Sequence, residues 1–275
     1  MQVLGVDFTS APSRRKPIVV AHGTLDVDEV RLTGIESLED WPAFEELLTR
    51  PGPWLGAFDF PFGLPREAVT DLGWPGTWDG MVRHCVSLGR SGFRATLDTY
   101  RESRPIGRRY AHRTTDHPAR SHSPLKLVNP PVGLMFLEGA PRLLEAGVHL
   151  PGLRAGDQQR VAVEAYPGFL ARSIESASYK GDASAARTPS RYTARARILN
   201  ALASGAHPLG LRLVVDDAMA VSLLEDHRGD RLDATLAMMQ AGACARSGHP
   251  GFGLPRKIDP LEGWIATVSE SSTLS

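Results

Sequence analysis

Three short apolar segments carry an acidic residue at or near their end, and this pattern constrains the fold more than any other feature of the chain. Apolar segments of this length, bounded by turn-forming residues, are typical of buried β-strands. In sheets packed by helices, ligand sites form beyond the carboxyl ends of strands, so the acids meet there if their strands are neighbours. The acids and their segments are Asp7 in residues 3–8, Asp59 in residues 54–59 and Glu164 in residues 160–167.

The remaining periodicity predicts two further strands and a set of helices that dominates late in the chain. A strand-first, helix-later order with mixed connections indicates an α/β or α+β layered domain. The further strands are predicted at residues 18–22 and 27–32, and helices are predicted from residue 39 or 40 and over residues 192–203, 216–225 and 230–245.

Residues 61–156 lack clear periodicity and hold many prolines and glycines, which predicts a long loop-rich insertion. Only residues 80–88 and 141–146 within it are predicted to form short helices. The chain then divides into a first part of the core at 1–60, the insertion, and a mostly helical remainder of the core at 157–275. The insertion is open to interpretation as a lid, a clamp or the contact of a possible homodimer.

The strand-end acids suit a metal site. Clustered carboxylates repel one another, and some of their pKa values rise unless a cation neutralises them. Mg²⁺ or Mn²⁺ takes oxygen ligands, and a pair of such ions about 4 Å apart stabilises both the attacking and leaving oxygens of a phosphoryl displacement. Glu164 supports the same interpretation, because a glutamate in an apolar strand needs a partner or a metal.

A fourth candidate ligand lies at the start of the helix predicted over residues 230–245. Asp230 and Asp233 are three residues apart and share one helical face. The alternative is structural, because aspartate is a preferred N-cap and acids in the first turn complement the helix dipole. The apolar residues that follow indicate a helix buried against the sheet, which would direct its first acids toward one sheet edge.

Composition excludes several classes of protein. Lysine plus arginine equals aspartate plus glutamate at 31 each, so no global field attracts nucleic acid or an acidic membrane. The two cysteines, Cys85 and Cys244, form no CxxC pair, which excludes a zinc ribbon or disulfide scaffold and fits a reducing environment. With no signal-like start and no spanning apolar run, we expect a cytoplasmic protein without membrane association.

Any contact with nucleic acid must therefore be local, and residues 90–126 provide a candidate. This stretch contains nine basic and three acidic residues. Arg108, Arg109 and Arg113 are the candidate substrate-binding residues, because arginines beside aromatic rings suit phosphate contacts and base stacking. The alternative is a solvated, partly disordered loop.

Five motifs resemble the domain of unknown function family 429, whose members are described as predicted nucleases of the RNase H fold. The resemblance spans nearly the whole chain. It implies an RNase H-like mixed sheet flanked by helices, and by analogy of fold a nuclease. The motifs are residues 5–8 (Gly-Val-Asp-Phe), 58–62 (Phe-Asp-Phe-Pro-Phe), 123–133, 163–168 (Val-Glu-Ala-Tyr-Pro-Gly) and 259–264 (Asp-Pro-Leu-Glu-Gly-Trp).

Residues 233–237 are also similar to the last catalytic helix of RuvC-type junction resolvases, in which a His or Asp stands three residues earlier, as Asp230 does here. The similarity implies that Asp233 is a ligand and that Asp230 supports it. Lys126, in the motif at 123–133, is a second candidate for such a supporting role, although an ordinary packed turn also explains that motif.

The leading hypothesis is a metal-dependent hydrolase, a nuclease or phosphodiesterase, in which Asp7, Asp59, Glu164 and Asp233 are catalytic residues that bind Mg²⁺ or Mn²⁺. Its substrate would be nucleic acid of unknown type. One alternative is a non-catalytic nucleic-acid- or protein-binding module that retains the fold. Another is an actin-like ATPase or sugar kinase, which needs a glycine-bearing phosphate turn after the first strand, whereas residues 7–11 contain no glycine.

Overall fold

A seven-stranded mixed sheet organises the computed structural model, which describes residues 1–181 and 187–270. The strands are β1 (Gln2–Asp7), β2 (Ile18–Asp26), β3 (Glu29–Leu38), β4 (Trp54–Phe58), β5 (Val148–His149), β6 (Asp157–Glu164) and β7 (Arg212–Val214). Their order in the sheet is β5-β6-β4-β1-β2-β3-β7. Strand β2 is antiparallel to its neighbours β1 and β3, and the other adjacent pairs are parallel.

Helices cover both faces of this sheet. They are α1 (Trp41–Thr49), α2 (Arg66–Asp71), α3 (Trp78–Ser103), α4 (Asp116–Ala119), α5 (Val132–Ala146), α6 (Pro167–Ile174), α7 (Pro189–Ser204), α8 (Asp217–Glu225) and α9 (Asp230–Ser247). The predicted α/β class, a mixed sheet flanked by helices, is confirmed. Across the two described ranges, no helix combines the length and hydrophobicity that crossing a membrane requires.

The alternation of side chains along the strands divides the apolar residues into two cores. Successive residues of a strand point to opposite faces, so Leu4 and Val6 of β1 enter the core shared with α1, α2, α3 and α5. Val3 instead enters the core shared with α6, α7, α8 and α9. We call these the first and second faces of the sheet. The buried apolar residues of a strand are thereby divided between two sets of helices.

Residues 61–156 differ from the predicted loop-rich insertion, because they contain α2, α3, α4, α5 and β5. Helix α3 is interrupted by a non-helical glycine, Gly89, and polar residues separate its buried positions, which hides the period. Helix α5 begins nine residues before the predicted start at Pro141. It contains Gly139, where a β-carbon would lie 2.4 Å from the Phe60 ring. Packing of the helix against the sheet overrides the low helix propensity of these residues.

Candidate functional site

Asp7 and Asp59 lie side by side at the carboxyl ends of two adjacent parallel strands. In the register of β1 and β4, Val6 is opposite Phe58, and the amide of Asp59 donates to the carbonyl oxygen of Val6 at 2.9 Å. Val6 and Phe58 belong to the core on the first face, so the next residue of each strand faces the second. The register therefore brings both aspartates to the face covered by α9.

Helix α9 adds two aspartates at the same edge. It crosses β1 at Gly5, which has no side chain to hold the helix away from the strand. The helix begins at Asp230, and no side chain caps its amino terminus, so Asp230 and Asp233 are first-turn residues rather than N-caps. Their charges complement the helix dipole. We call the four residues at this edge the aspartate cluster: Asp7, Asp59, Asp230 and Asp233.

A lysine ammonium, which the sequence reasoning missed, lies against this cluster. Lys180 donates to one carboxylate oxygen of Asp233, and the Tyr179 hydroxyl donates to the other at 2.5 Å. The backbone here is held in place, because Arg195 Nη1 donates to the carbonyl oxygen of Tyr179 at 2.7 Å. Tyr179 and Lys180 belong to no periodic segment, so nothing in the local sequence pattern singles them out.

Burial and proximity raise the pKa values of the clustered aspartates. The pKa of Asp7 lies well above its usual range. The largest cause is burial of the side chain, followed by repulsion from the charges of Asp233 and Asp230. Burial also raises the pKa of Asp59 to about 7 and that of Asp230 to about 6. Lys180 lowers all three pKa values, yet one ammonium does not balance four carboxylates. The cluster is stabilised by any further cation or by protons.

Glu164 ends β6 but faces away from the aspartate cluster. It is opposite Phe58 in the register of β4 and β6, which places its side chain on the first face. Its carboxylate accepts from both terminal nitrogens of Arg113 at 2.7 Å and from the amide of Phe62 at 2.9 Å. Arg113, 2% exposed, also pairs with buried Asp116. The structure thus engages Glu164 and Arg113, a predicted substrate contact, in a buried ion pair on the first face. Glu164 still lines one cavity together with Asp59, and its charge helps to raise the pKa of Asp59.

The other predicted site residues lie apart from the cluster. Arg108 and Arg109 are exposed in the segment after α3, and Lys126 Nζ lies 3.4 Å from Nε2 of His122. None of the three lines the cavities around the aspartates. Part of the basic surplus at 90–126 is neutralised within the fold by pairs that include Arg90 with Glu138, Arg101 with Asp98 and Arg104 with Glu67.

Two adjoining cavities open beside the cluster. The first, of about 300 Å³, is the acidic cavity, and basic side chains of Lys16, Lys180 and Arg228 line it together with three of the aspartates. The second, of about 350 Å³, is the side cavity, and Asp59 lines it. Lys180 lines both cavities, as do Pro130 and Met135. The cluster therefore spans the boundary between them.

The carboxylates of the aspartate cluster suit a hard divalent cation, although the ammonium of Lys180 contacts one of them in this structure. Carboxylate oxygens are ligands that Mg²⁺ and Mn²⁺ prefer, and within the described ranges no hydrogen-bond donor contacts the carboxylate of Asp7 or Asp59. Over those same residues, no group of three or more His, Cys, Asp or Glu side chains is arranged to hold a metal ion. Lys180 contacts Asp233, so a metal held by Asp233 requires this ammonium, whose side chain is 45% exposed, to move.

Comparison of the chain with protein-family models, with curated proteins and with solved structures finds no match. The resemblance of its motifs to a nuclease family therefore stays a prediction. The function is inferred below from the chemistry of the site itself.

Proposed function

We propose that the chain is a metal-dependent phosphodiesterase that acts on nucleic acid, built on an RNase H-like core. The observation that carries the proposal is the aspartate cluster, in which four carboxylates meet at one sheet edge and one of them, Asp233, accepts from the ammonium of Lys180. The RNase H-like core is supported by the position of β1 between antiparallel β2 and parallel β4, with an aspartate at the end of both β1 and β4.

Asp7, Asp59 and Asp233 would hold Mg²⁺ or Mn²⁺, which supplies a water of lowered pKa and neutralises the leaving oxygen. Lys16 and Arg228 line the acidic cavity and are placed to bind phosphate oxygens. Asp230 lines the acidic cavity, and its carboxylate oxygen would accept a proton from the attacking water. The Tyr179 hydroxyl orients Asp233 through its hydrogen bond.

Glu164 has a different role in this proposal from the one expected from the sequence. Through Arg113 and the amide of Phe62, its carboxylate holds the segment that follows β4. That segment begins at Asp59, so Glu164 acts as a positioning residue from the opposite face of the sheet. A carboxylate whose two oxygens both accept from protein donors has little capacity left for a metal.

The contact between Lys180 and Asp233 favours a second candidate function. In a non-catalytic nucleic-acid- or protein-binding module, the ammonium would replace a metal permanently and neutralise the acids in a fold without activity. Affinity for a divalent cation distinguishes the two candidates. Binding to the folded state alone stabilises a protein, by about 2.7 kcal/mol when the ligand is at one hundred times its Kd.

The test is thermal unfolding with increasing Mn²⁺ or Mg²⁺, followed by cleavage assays on DNA, RNA, hybrid and junction substrates. We expect millimolar Mn²⁺ to raise the Tm of the wild type, and Asp7→Asn and Asp233→Asn to abolish both the rise and any cleavage. Asp98→Asn, an aspartate on α3 outside the cluster, is the matched control and should behave like the wild type. A wild type that neither gains stability from Mn²⁺ nor cleaves any substrate would overturn the proposal.

A further inference from the structure

The side cavity shares only Asp59, Glu164, Arg113 and Lys180 with the chemistry proposed above, and the rest of its lining has no role there. Its volume of about 350 Å³ is at the lower end of the range of about 300 to 1,000 Å³ that is typical of small-ligand sites. Half of its lining residues are apolar. The others are charged or polar: Asp59, Arg113, Glu164 and Lys180, with Ser121, His122 and Tyr166. The apolar lining includes Phe60, Pro61, Pro130, Val132, Met135 and Ile265.

The two cavities are neighbours, because they share three lining residues. Pro130, Met135 and Lys180 line the acidic and the side cavity alike. A ligand that fits the pair has an anionic part beside the cations of the acidic cavity and a flat, mostly apolar part next to it. A nucleotide unit has this composition, with its phosphate joined to a planar base.

The number of basic residues around the cavities limits how many phosphate groups of a nucleic acid the protein can neutralise. Lys16, Lys180 and Arg228 are the basic residues that line the acidic cavity, enough for about three phosphates. Proteins that follow a duplex neutralise about 6 to 10 phosphates. Three arginines at 90–126 are paired with acids and do not add to these cations. A short single-stranded stretch fits this charge better than a duplex.

We propose that the side cavity binds one unpaired nucleobase of a single strand, whose adjacent phosphodiester lies in the acidic cavity. The placement of the phosphodiester rests on the proposed function. A base within a duplex would have to leave its stack to enter such a cavity, whereas a base of a single strand is already accessible.

Two side chains at the cavity are suited to a base. The ring of Tyr166 is held by Arg172, whose guanidinium carbon lies 5.0 Å from the ring centroid and whose Nη1 donates to the hydroxyl at 3.2 Å. A ring fixed in this way is a surface on which a base can stack. His122 is exposed, and burial of part of its ring, with Lys126 and Arg172 nearby, lowers its pKa. Because Nε2 of a neutral His122 accepts from Lys126 Nζ at 3.4 Å, the imidazole offers a base one donor, at Nδ1.

The experiment compares a fluorescent thymidine oligomer with an abasic backbone of the same length, using anisotropy in Ca²⁺ and cleavage in Mn²⁺. We expect the wild type to bind the thymidine oligomer at least about tenfold more tightly than the abasic strand. With three phosphate contacts, the logarithm of the binding constant should fall with the logarithm of salt concentration with a slope of about −2. Equal binding of the two strands would overturn the proposal, as would a slope beyond about −5.

A pair of variants tests the position of the base. Val132, half-buried at the start of α5, lines the side cavity and not the acidic one. Val132→Phe should fill the cavity and remove the preference for the thymidine oligomer, whereas Val132→Ala should keep it. An unchanged preference in a folded Val132→Phe protein would contradict the assignment. If that variant does not fold, the wild-type comparison with the abasic strand still decides.

Failure of this inference can be told apart from failure of the proposed function. Equal cleavage of the thymidine and abasic strands would overturn the base site and leave the phosphodiesterase in place. Base-dependent binding that Val132→Phe removes, without cleavage in Mn²⁺, would retain the base site and overturn the phosphodiesterase. Absence of both binding and cleavage would overturn both.

Discussion

A β-carbon on Gly5 would lie 2.0 Å from the carbonyl oxygen of Ala234, so α9 can cross β1 at this distance only because residue 5 is glycine. Asp7 follows Gly5 by two residues in β1, and Asp233 precedes Ala234 in α9. The close approach therefore determines how near the strand-borne and helix-borne aspartates come to each other.

Replacement of Gly5 by alanine should separate α9 from β1. The added methyl group meets the helix backbone, which cannot rotate away as a side chain can, and overpacking of this kind costs about 1 to 3 kcal/mol. Urea denaturation measures the loss in free energy of unfolding. Gly34→Ala in β3 is the control, since a β-carbon there meets nothing within 4 Å. Equal stability of the two variants would contradict the close contact.

Asp59→Asn should change how stability depends on pH. The pKa of Asp59 is about 7 in the folded chain against an ordinary value of 3.8, so the folded state binds the proton more tightly. The tighter proton binding of Asp59 stabilises the folded state at low pH, and this stabilisation is lost as the pH rises from about 4 to about 7. We therefore expect Asp59→Asn to be more stable than the wild type at about pH 8, with a smaller difference at about pH 5.

The control for this pH effect is Asp98→Asn, which should show no comparable gain at either pH. Urea midpoints at both pH values provide the measurement. Saturating Mn²⁺ should reduce the advantage of Asp59→Asn at the higher pH, because a bound cation removes the repulsion that the substitution relieves. An Asp59→Asn protein less stable than the wild type at about pH 8 would show that the carboxylate is not strained by its surroundings.

Glu164→Gln should weaken the fold without removing metal binding. It breaks a buried ion pair with Arg113 and leaves that guanidinium with less compensation, which costs about 3 kcal/mol. Glu29→Gln, which breaks an exposed pair with Arg212, is the control and should cost less than about 1 kcal/mol. Chemical denaturation gives both values. Loss of the Mn²⁺-induced rise in Tm from a still-stable Glu164→Gln protein would instead identify Glu164 as a ligand.

Lys180→Met should increase the affinity for Mn²⁺, because the ammonium that contacts Asp233 competes with the metal for the same carboxylate. We expect the apparent Kd to fall by about tenfold, which corresponds to about 1.4 kcal/mol. In the absence of metal, the variant should unfold more easily, since the buried Asp233 loses its counter-charge. Isothermal titration measures the first effect and thermal unfolding the second.

Lys126→Met is the matched control for Lys180→Met, since Lys126 lies outside both cavities. The position of Lys126 in the motif at 123–133 predicts that its side chain supports the metal ligands. An unchanged Kd in Lys126→Met would separate it from the site, and an altered one would restore that expectation. An unchanged Kd in Lys180→Met would mean that its ammonium does not compete with the metal.

The periodic elements were predictable, whereas the helices at 61–156 were predicted only in part, at 80–88 within α3 and at 141–146 within α5. Residues 230–245 are rich in alanine, leucine and methionine, which favour a helix, and α9 occupies them. Helix α5 contains three residues of low helix propensity, Gly133, Gly139 and Pro141, and Phe60 packs closely against the helix at Gly139. The role of Lys180 was also not predictable, because it depends on a contact with Asp233, which is 53 residues away in the sequence. Local propensity cannot report on interactions of that range.

The sequence by itself determined that Asp7, Asp59 and Glu164 stand where strands end, because apolar runs and the turn residues that bound them are local properties. Only the tertiary structure decided which face each acid occupies. The pairing register does this: Glu164 is opposite Phe58, one residue before Asp59, so the two acids point to opposite sides of the sheet. Register depends on contacts between distant segments, and a shift of one residue reverses the face of every side chain in a strand.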